Sequence, residues 1–355
     1  MSPSSFHPTE VSSPSLTGEG CQSSAGSFDG ERLLLVLLGP TAVGKTALSL
    51  SLAERYGCPI INADSRQIYR DLPIGTAAPT AEEQARVKHY FVGTLGLGEY
   101  YSAAQFETDA IAVLEREYQE RDVMIVSGGS MMYLDALCHG IDDLPTISSD
   151  VREELQQRLA AEGPDALLAE LRLVDPAYYA GCDLKNVKRI VHALEVYYES
   201  GQPLSTFLTG RIRPRGCSSG ETGEERSRTL NPALETLGVK VIKIGLDRPR
   251  EELFGRINQR VEQMVADGLL DECRRVLPMR AENSLNTVGY KEMFQVLDGT
   301  WTLPFAIARM QKNTRVYAKK QLTWYRRDNT IRWYHPEKDA YIFEQQDMRD
   351  METGA

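Results

Sequence analysis

The chain has 355 residues, of which 42% are hydrophobic and 25% charged, with a formal net charge of −10. This suits a globular protein of one large or two ordinary domains, and no apolar run approaches the ~20 residues of a membrane span, so no membrane association is expected. The acidic total excludes nucleic-acid binding by overall charge and leaves that role to local basic patches.

Residues 1–30 are rich in Ser, Gly and Pro and contain no Lys or Arg. They fit neither a secretory signal nor a transit peptide and read as a disordered tail. Arg32–Leu38 is a nearly continuous apolar strand of the kind buried on both faces of a parallel sheet. The loop Gly39-Pro40-Thr41-Ala42-Val43-Gly44-Lys45-Thr46 follows, and Thr46–Tyr56 reads as a helix closed by Gly57. Cys58–Asp64 is a second strand, ending on an acid. Tyr101–Glu120 has helical spacing, and Val123–Gly129 is a third strand that ends in two glycines. Alternating strands and helices predict an α/β protein, a P-loop NTPase-like doubly wound parallel sheet.

After Leu144 the pattern changes. Asp150–Leu173 and Asn186–Ser200 read as helices with no strand between them, which predicts an inserted helical lobe over 145–208. Thr209–Thr236 is polar and rich in Gly, Ser and Arg, a flexible excursion within 209–238. Val239–Leu246 returns to the sheet, and Arg250–Leu277 and Phe305–Arg326 read as long helices. The catalytic core is therefore expected to combine 31–144 with 239–335, and 336–355 to form a C-terminal tail. The six cysteines are scattered with no C-x-x-C pair, as for reduced thiols in a cytoplasmic protein.

The loop fits G-x-x-x-x-G-K-[ST] in the required strand–loop–helix context. Its glycines let backbone N–H groups turn onto phosphate oxygens, and the helix N-terminus adds partial positive charge. Lys45 supplies a cation, and the Thr46 hydroxyl is a candidate Mg²⁺ ligand. The loop specifies a polyphosphate without saying which. Asp64 at a strand end keeps an ATPase or kinase reading open.

The segments "GPTAVGKT", "NADSRQIYRDLPIGTAAP", "VSGGSMMYLDAL", "RIVHALEVYYESGQPL", "LNTVGYKEM" and "TRVYAKKQLTWYRR" occur in this order. Together they resemble the tRNA dimethylallyltransferase (tRNA isopentenyltransferase) family of bacterial type, from Leu33 to Arg327. The resemblance implies transfer of a dimethylallyl group from dimethylallyl diphosphate to the exocyclic amine of adenine 37 in tRNA, with Mg²⁺ as cofactor. The loop would then hold an isoprenoid diphosphate. An adenine amine is a poor nucleophile and needs an acceptor held against its N–H. Asp64 matches the family's acid for this role, and Thr41 and Arg260 match its groups on the leaving diphosphate, whose charge grows as the C–O bond breaks. Adenylate isopentenyltransferase and a small-molecule P-loop kinase are the alternatives.

The same resemblance carries tRNA contacts onto Asp64, Ser65, Arg66 and Gln67; onto Ser130 and Arg152; onto Lys188, Arg189, Ile190, Val191 and His192; onto Asn286, Thr287, Val288, Gly289, Tyr290 and Lys291; and onto Lys319, Lys320, Gln321, Leu322, Thr323, Trp324, Tyr325 and Arg326. Departures from the family's commonest pattern occur at Ala78, Ser130-Met131, His192 and Lys320. Independently of any resemblance, 309–332 carries eight Lys or Arg against the single acid Asp328. Five of the bases fall within about 140° of helical arc, a local footprint for phosphates, with Trp324 and Tyr325 placed to stack on unpaired bases. A monomer is expected.

Overall fold

The computed structural model describes residues 32–142, 144–145, 147–208 and 230–350. Six strands form one all-parallel sheet: β1 (Arg32–Leu38), β2 (Ile60–Asn62), β3 (His89–Tyr90), β4 (Val123–Ser127), β5 (Val239–Leu246) and β6 (Arg332–Tyr334), in the order β3-β2-β4-β1-β5-β6. Leu33–Leu38 are at most 3% exposed, as the apolar run requires when neighbours pair on both edges and helices cover both faces.

The carboxyl ends of the strands share one edge, and the chain leaves each through a chemically loaded turn. Such crevices are where open α/β sheets bind ligands. Gly39–Gly44 follows β1, Ala63–Gln67 follows β2, Gly128–Gly129 follows β4 and Asp247–Arg248 follows β5. Gly128 permits this convergence. A Cβ there would lie 2.0 Å from the Ala63 carbonyl oxygen, so the β2 and β4 turns touch only because the side chain is missing.

The first helices are α1 (Lys45–Tyr56), α2 (Pro73–Thr76), α3 (Ala81–Arg86), α4 (Ala103–Glu117) and α5 (Met131–His139). Gly57 ends α1 with φ 60°, its N–H donating to the Ala53 carbonyl. A helical group follows: α6 (Ser149–Glu162), α7 (Pro164–Val174), α8 (Pro176–Gly181), α9 (Val187–Ser200) and α10 (Leu204–Phe207). Leu155, Leu167, Leu171, Ile190 and Leu194 belong to its own buried cluster. The helix expected over Asp150–Leu173 is broken, because Gly163 takes φ 81° and Pro164 starts a new helix.

The remaining helices are α11 (Pro232–Thr236), α12 (Arg250–Ala266), α13 (Leu269–Val276), α14 (Tyr290–Leu297), α15 (Leu303–Tyr325) and α16 (Ala340–Gln345). The helix expected over Arg250–Leu277 divides at Gly268, φ 100°. A second buried cluster joins Leu72, Tyr290, Met293 and Met310 beneath the α13–α15 group.

Two expectations need correction. The excursion over 209–238 is anchored at its described end. Asn231, 2% exposed, donates to Glu107 Oε1 at 2.7 Å and to the Leu137 carbonyl at 3.1 Å, and caps α11. Residues 336–350, expected as a tail, fold against α1, burying Phe343 and Met348 at 4% and 0% exposure. Apolar side chains spaced through an otherwise polar stretch supply that burial. The expected tail 1–30 and residues 209–229 lie outside the described residues.

Candidate active site

Basic side chains engage the carbonyls of the turn after β1. Lys45 Nζ donates to the carbonyls of Gly39 and Pro40 at 2.9 Å each, Arg256 Nε to Ala42 at 2.9 Å, and Arg248 Nε to Val43 at 2.8 Å. With four carbonyls engaged, the loop is set to present N–H groups to an anion. Ala42 takes φ 64°, a left-handed conformation uncommon for alanine, as such a loop demands. Burial and the neighbouring Arg260 cation bring Lys45 down to about 7, while Asp64 acts against them.

Gln321, on α15, closes the loop's other side. Its Oε1 accepts from the Thr41 N–H at 2.9 Å, and its Nε2 donates to the Gly129 carbonyl at 2.8 Å. The side chain is 1% exposed. Arg260 reaches the Thr41 hydroxyl at 3.4 Å. Burial pulls its pKa below the ordinary value and Asp64 opposes the shift, yet a guanidinium keeps its charge.

Asp64 is fixed by its own turn. Its Oδ1 accepts from the N–H groups of Arg66 at 2.9 Å and Gln67 at 3.3 Å. Gln67 Nε2 is committed to the Thr76 and Ala77 carbonyls at 3.0 Å each, so its Oε1 is the end left to accept. Thr41, Lys45, Thr46, Asp64, Gln67 and Arg260 line one cleft of about 1310 Å³. Among the described residues no three His, Cys, Asp or Glu side chains cluster to hold a metal by themselves. Thr46, on the cleft lining, is the side chain whose hydroxyl could hold a cation of the Mg²⁺ type.

The residues expected to meet RNA fall into several groups. Asp64–Gln67, Asn286–Val288, Lys291 and Gln321 line the cleft. Ser130 lines an adjoining pocket of about 370 Å³ with Ser65, Arg66 and Tyr101. Arg152, Lys188 and His192 are exposed on the helical group and Arg189 is half-buried there. Lys319, Lys320, Thr323 and Arg326 are exposed on and just beyond α15, where Leu322 is half-buried.

Other members of the set lie in the core or are tied to other parts of the protein, so their side chains are not free on the surface. Ile190 and Val191, 1% and 4% exposed, are core of the helical group. Tyr290 is fully buried, its hydroxyl donating to Glu272 Oε1 at 2.6 Å beneath Gly75. Gly289 is buried at φ 101°, and a Cβ there would press Met310 at 3.2 Å. Tyr325, expected to stack on a base, is 3% exposed, and Trp324 is tied by Nε1 to Asp135 at 2.8 Å. Gln321 serves the loop rather than the exterior. The helical period that groups these residues says which face they share but not which face is covered.

Sequence reasoning missed Arg248 and the loop contact of Gln321. Their partners lie 205 and 280 residues away, so no local pattern signals them. Arg256 lies four residues before Arg260 on the same helix face, but nothing in that spacing signals its contact with the Ala42 carbonyl, 214 residues away.

The chain matches the family described as IPP transferase over residues 67–328. It is 53% identical over 311 residues to tRNA dimethylallyltransferase 1 of Phocaeicola vulgatus, covering 88% of this chain and 96% of that protein. Over 305 residues it is 39% identical to tRNA dimethylallyltransferase of Cytophaga hutchinsonii, covering 86% and 93%. Among solved structures it is similar to a tRNA isopentenylpyrophosphate transferase from Bacillus halodurans, with a TM-score of 0.59, 32% identity, and 88% and 95% of the two chains covered. A eukaryotic dimethylallyltransferase acting on tRNA shares the fold at a TM-score of 0.69, with 22% identity and 91% and 82% covered.

Proposed function

The chain belongs to the IPP transferase family, and from that premise we propose that it transfers a dimethylallyl group from dimethylallyl diphosphate to the N6 amine of adenine 37 in tRNA. The observation that carries this reading is the opening of the phosphate loop, Asp64 and Arg260 onto one cleft. An anion site, a cation for a leaving group and an acceptor for a proton then serve one reacting centre.

In this reading the loop N–H groups and Lys45 bind the diphosphate. Thr41 and Arg260 stand where its negative charge grows as the C–O bond breaks and the electron pair passes to the leaving oxygen. The adenine leaves its stack to enter the cleft, as bases do for other modifying enzymes. Its amine attacks the allylic carbon, and Asp64 takes the N6 proton through the oxygen not used by its own turn. Gln67 Oε1 orients the amine. Mg²⁺, when bound, offsets charge on the diphosphate, with Thr46 as its protein ligand. The helical group within 145–208 and the exposed cations of α15 hold the rest of the tRNA. The protein works as a monomer in the cytoplasm.

The test is incubation with labelled dimethylallyl diphosphate and either bulk tRNA or AMP. Label should enter tRNA. Transfer to AMP alone would make the protein an adenylate isopentenyltransferase, and turnover of ATP without prenyl transfer would make it a kinase.

A further inference from the structure

A second groove, of about 600 Å³, lies beyond the catalytic cleft, lined by Arg250, Phe254, Lys319, Leu322, Arg326 and Trp333 among others. We propose that this groove holds unpaired nucleotides of the tRNA substrate while the target adenine occupies the cleft. The proposal rests on the tRNA reading above and extends the RNA footprint to α12 and β6.

Three cations crowd the Phe254 ring, Arg250 and Lys319 from the groove lining and Arg315 from α15 beside it. Arg250 Cζ, Arg315 Cζ and Lys319 Nζ stand 5.2, 5.7 and 5.6 Å from the Phe254 centroid. Arg315 donates to the neutral Asn258, and none of the three makes an ion pair among the described residues. The other bases of the groove are compensated. Arg248 pairs with Glu252 and Glu337, and Arg326 with Asp247 at 2.6 Å. In a chain of net charge −10, three like charges that make no ion pair among the described residues are a local excess that a polyanion would relieve, the groove's own Asp247 being engaged by Arg326.

The groove also offers flat faces. Trp333 lies so close to Gly245 that a Cβ there would come within 2.8 Å of the indole. The ring is therefore a fixed wall, with the Arg326 guanidinium 5.9 Å from its centroid. Cations beside aromatic and guanidinium planes are what single-stranded RNA uses, phosphates on the former and bases on the latter. An acidic peptide would satisfy the cations but has no use for the planes.

Position supplies the third argument. Met310, Asn313, Thr314, Tyr317 and Gln321 of α15 line the catalytic cleft. Lys319 and Leu322 of the same helix, with Arg326 just beyond it, line the groove. One helix is thus the wall between the two, and RNA with one base in the cleft has neighbouring nucleotides within reach of the groove.

The test measures unmodified tRNA binding across a salt series for Arg250→Glu, Trp333→Ala and Trp333→Phe, alongside the thermal shift given by diphosphate with Mg²⁺. Arg250 opens α12, where an acid is favoured by the helix dipole, so the substitution does not threaten the fold. Arg250→Glu should weaken tRNA about tenfold at ~0.1 M salt and reduce the log–log salt slope by about one or more. Trp333→Ala should weaken it about fivefold or more at an unchanged slope, and Trp333→Phe should recover most of that loss. The diphosphate shift should persist in all three. An unstructured oligonucleotide should compete with tRNA better than polyglutamate of equal charge. Wild-type affinity and slope in both Arg250→Glu and Trp333→Ala would overturn the groove, as would equal competition by polyglutamate. If wild-type protein fails to bind tRNA at any salt concentration, the acceptor assignment falls first and the groove with it. Normal wild-type binding with indifferent variants rejects the groove alone.

Discussion

Asp64 divides its two oxygens between structure and chemistry. Oδ1 accepts two backbone N–H groups of its own turn, and an asparagine retains that acceptor. Asp64→Asn should therefore fold normally and bind diphosphate while losing basicity. The expected fall in kcat is roughly 10²-fold, the scale of lost general-base catalysis. Single-turnover rates over a Mg²⁺ series check it, and rescue of the variant by added Mg²⁺ would move Asp64 from base to metal ligand. Lys45 carries a second consequence. Enclosure and the Arg260 cation bring it to about 7 in the free protein. A bound diphosphate favours the charged ammonium and raises that value again. Well below pH 7 Lys45 is already protonated and binding takes up almost no proton through it. Above pH 7 binding should draw one in, and donor affinity should fall as pH rises further. Calorimetry at pH 8.5 in buffers of different ionisation heat reads the uptake; buffer-independent heats would reject it.

At the scale of elements, α15 separates two roles along one helix. Lys319 and Lys320 are exposed, whereas Gln321 is buried against the loop. Alanine at both lysines should weaken tRNA and flatten its salt dependence with donor affinity nearly constant. Gln321→Ala should do the reverse. It leaves the Thr41 N–H without its partner and the Gly129 carbonyl with only the longer bond from the Tyr317 hydroxyl at 3.4 Å, so donor affinity should drop while the tRNA salt slope stays. Filter binding and diphosphate titration on both variants settle the division; matching losses on both ligands would refute it. The chain just after α15 is anchored below by Asp328, which accepts from Lys243 of β5 at 2.7 Å, with His139 of α5 at 3.0 Å from the same ammonium. The register of the helix against the sheet is thereby tied at both the loop and the helix end.

For the molecule as a whole, a ligand that binds only the folded state should raise its melting temperature. Diphosphate or dimethylallyl diphosphate with Mg²⁺ at about 100 times its Kd adds ~2.7 kcal/mol, and ATP at the same concentration should add less. A larger shift with ATP would count against the prenyl donor. How much of this molecule was legible beforehand follows from sequence distance. The loop, its strand and its helix are contiguous, so glycine spacing and apolar runs exposed them. Asp64 showed as an acid at a strand end. Strands β3 and β6, two and three residues long, are too short for any period to register. The breaks at Gly163-Pro164 and Gly268 were written in the residues but overridden by helical spacing on either side. Burial of Tyr290 and Tyr325 was illegible because an aromatic in a basic segment reads alike whether it faces solvent or core.

The two faces of α15 have a consequence for how this stretch can change. Side chains at 310, 313, 314, 317 and 321 face the cleft, and those at 319, 322 and 326 face the groove. Single replacements disturb one face at a time. Inserting one residue between Met310 and Lys319 instead turns everything downstream by about 100°. Gln321 then leaves the loop, Lys319 leaves Phe254, and Asp328 loses Lys243 at once. Among homologous chains this segment should accept varied residues while keeping a constant length. Length variation should collect in the turns that flank it.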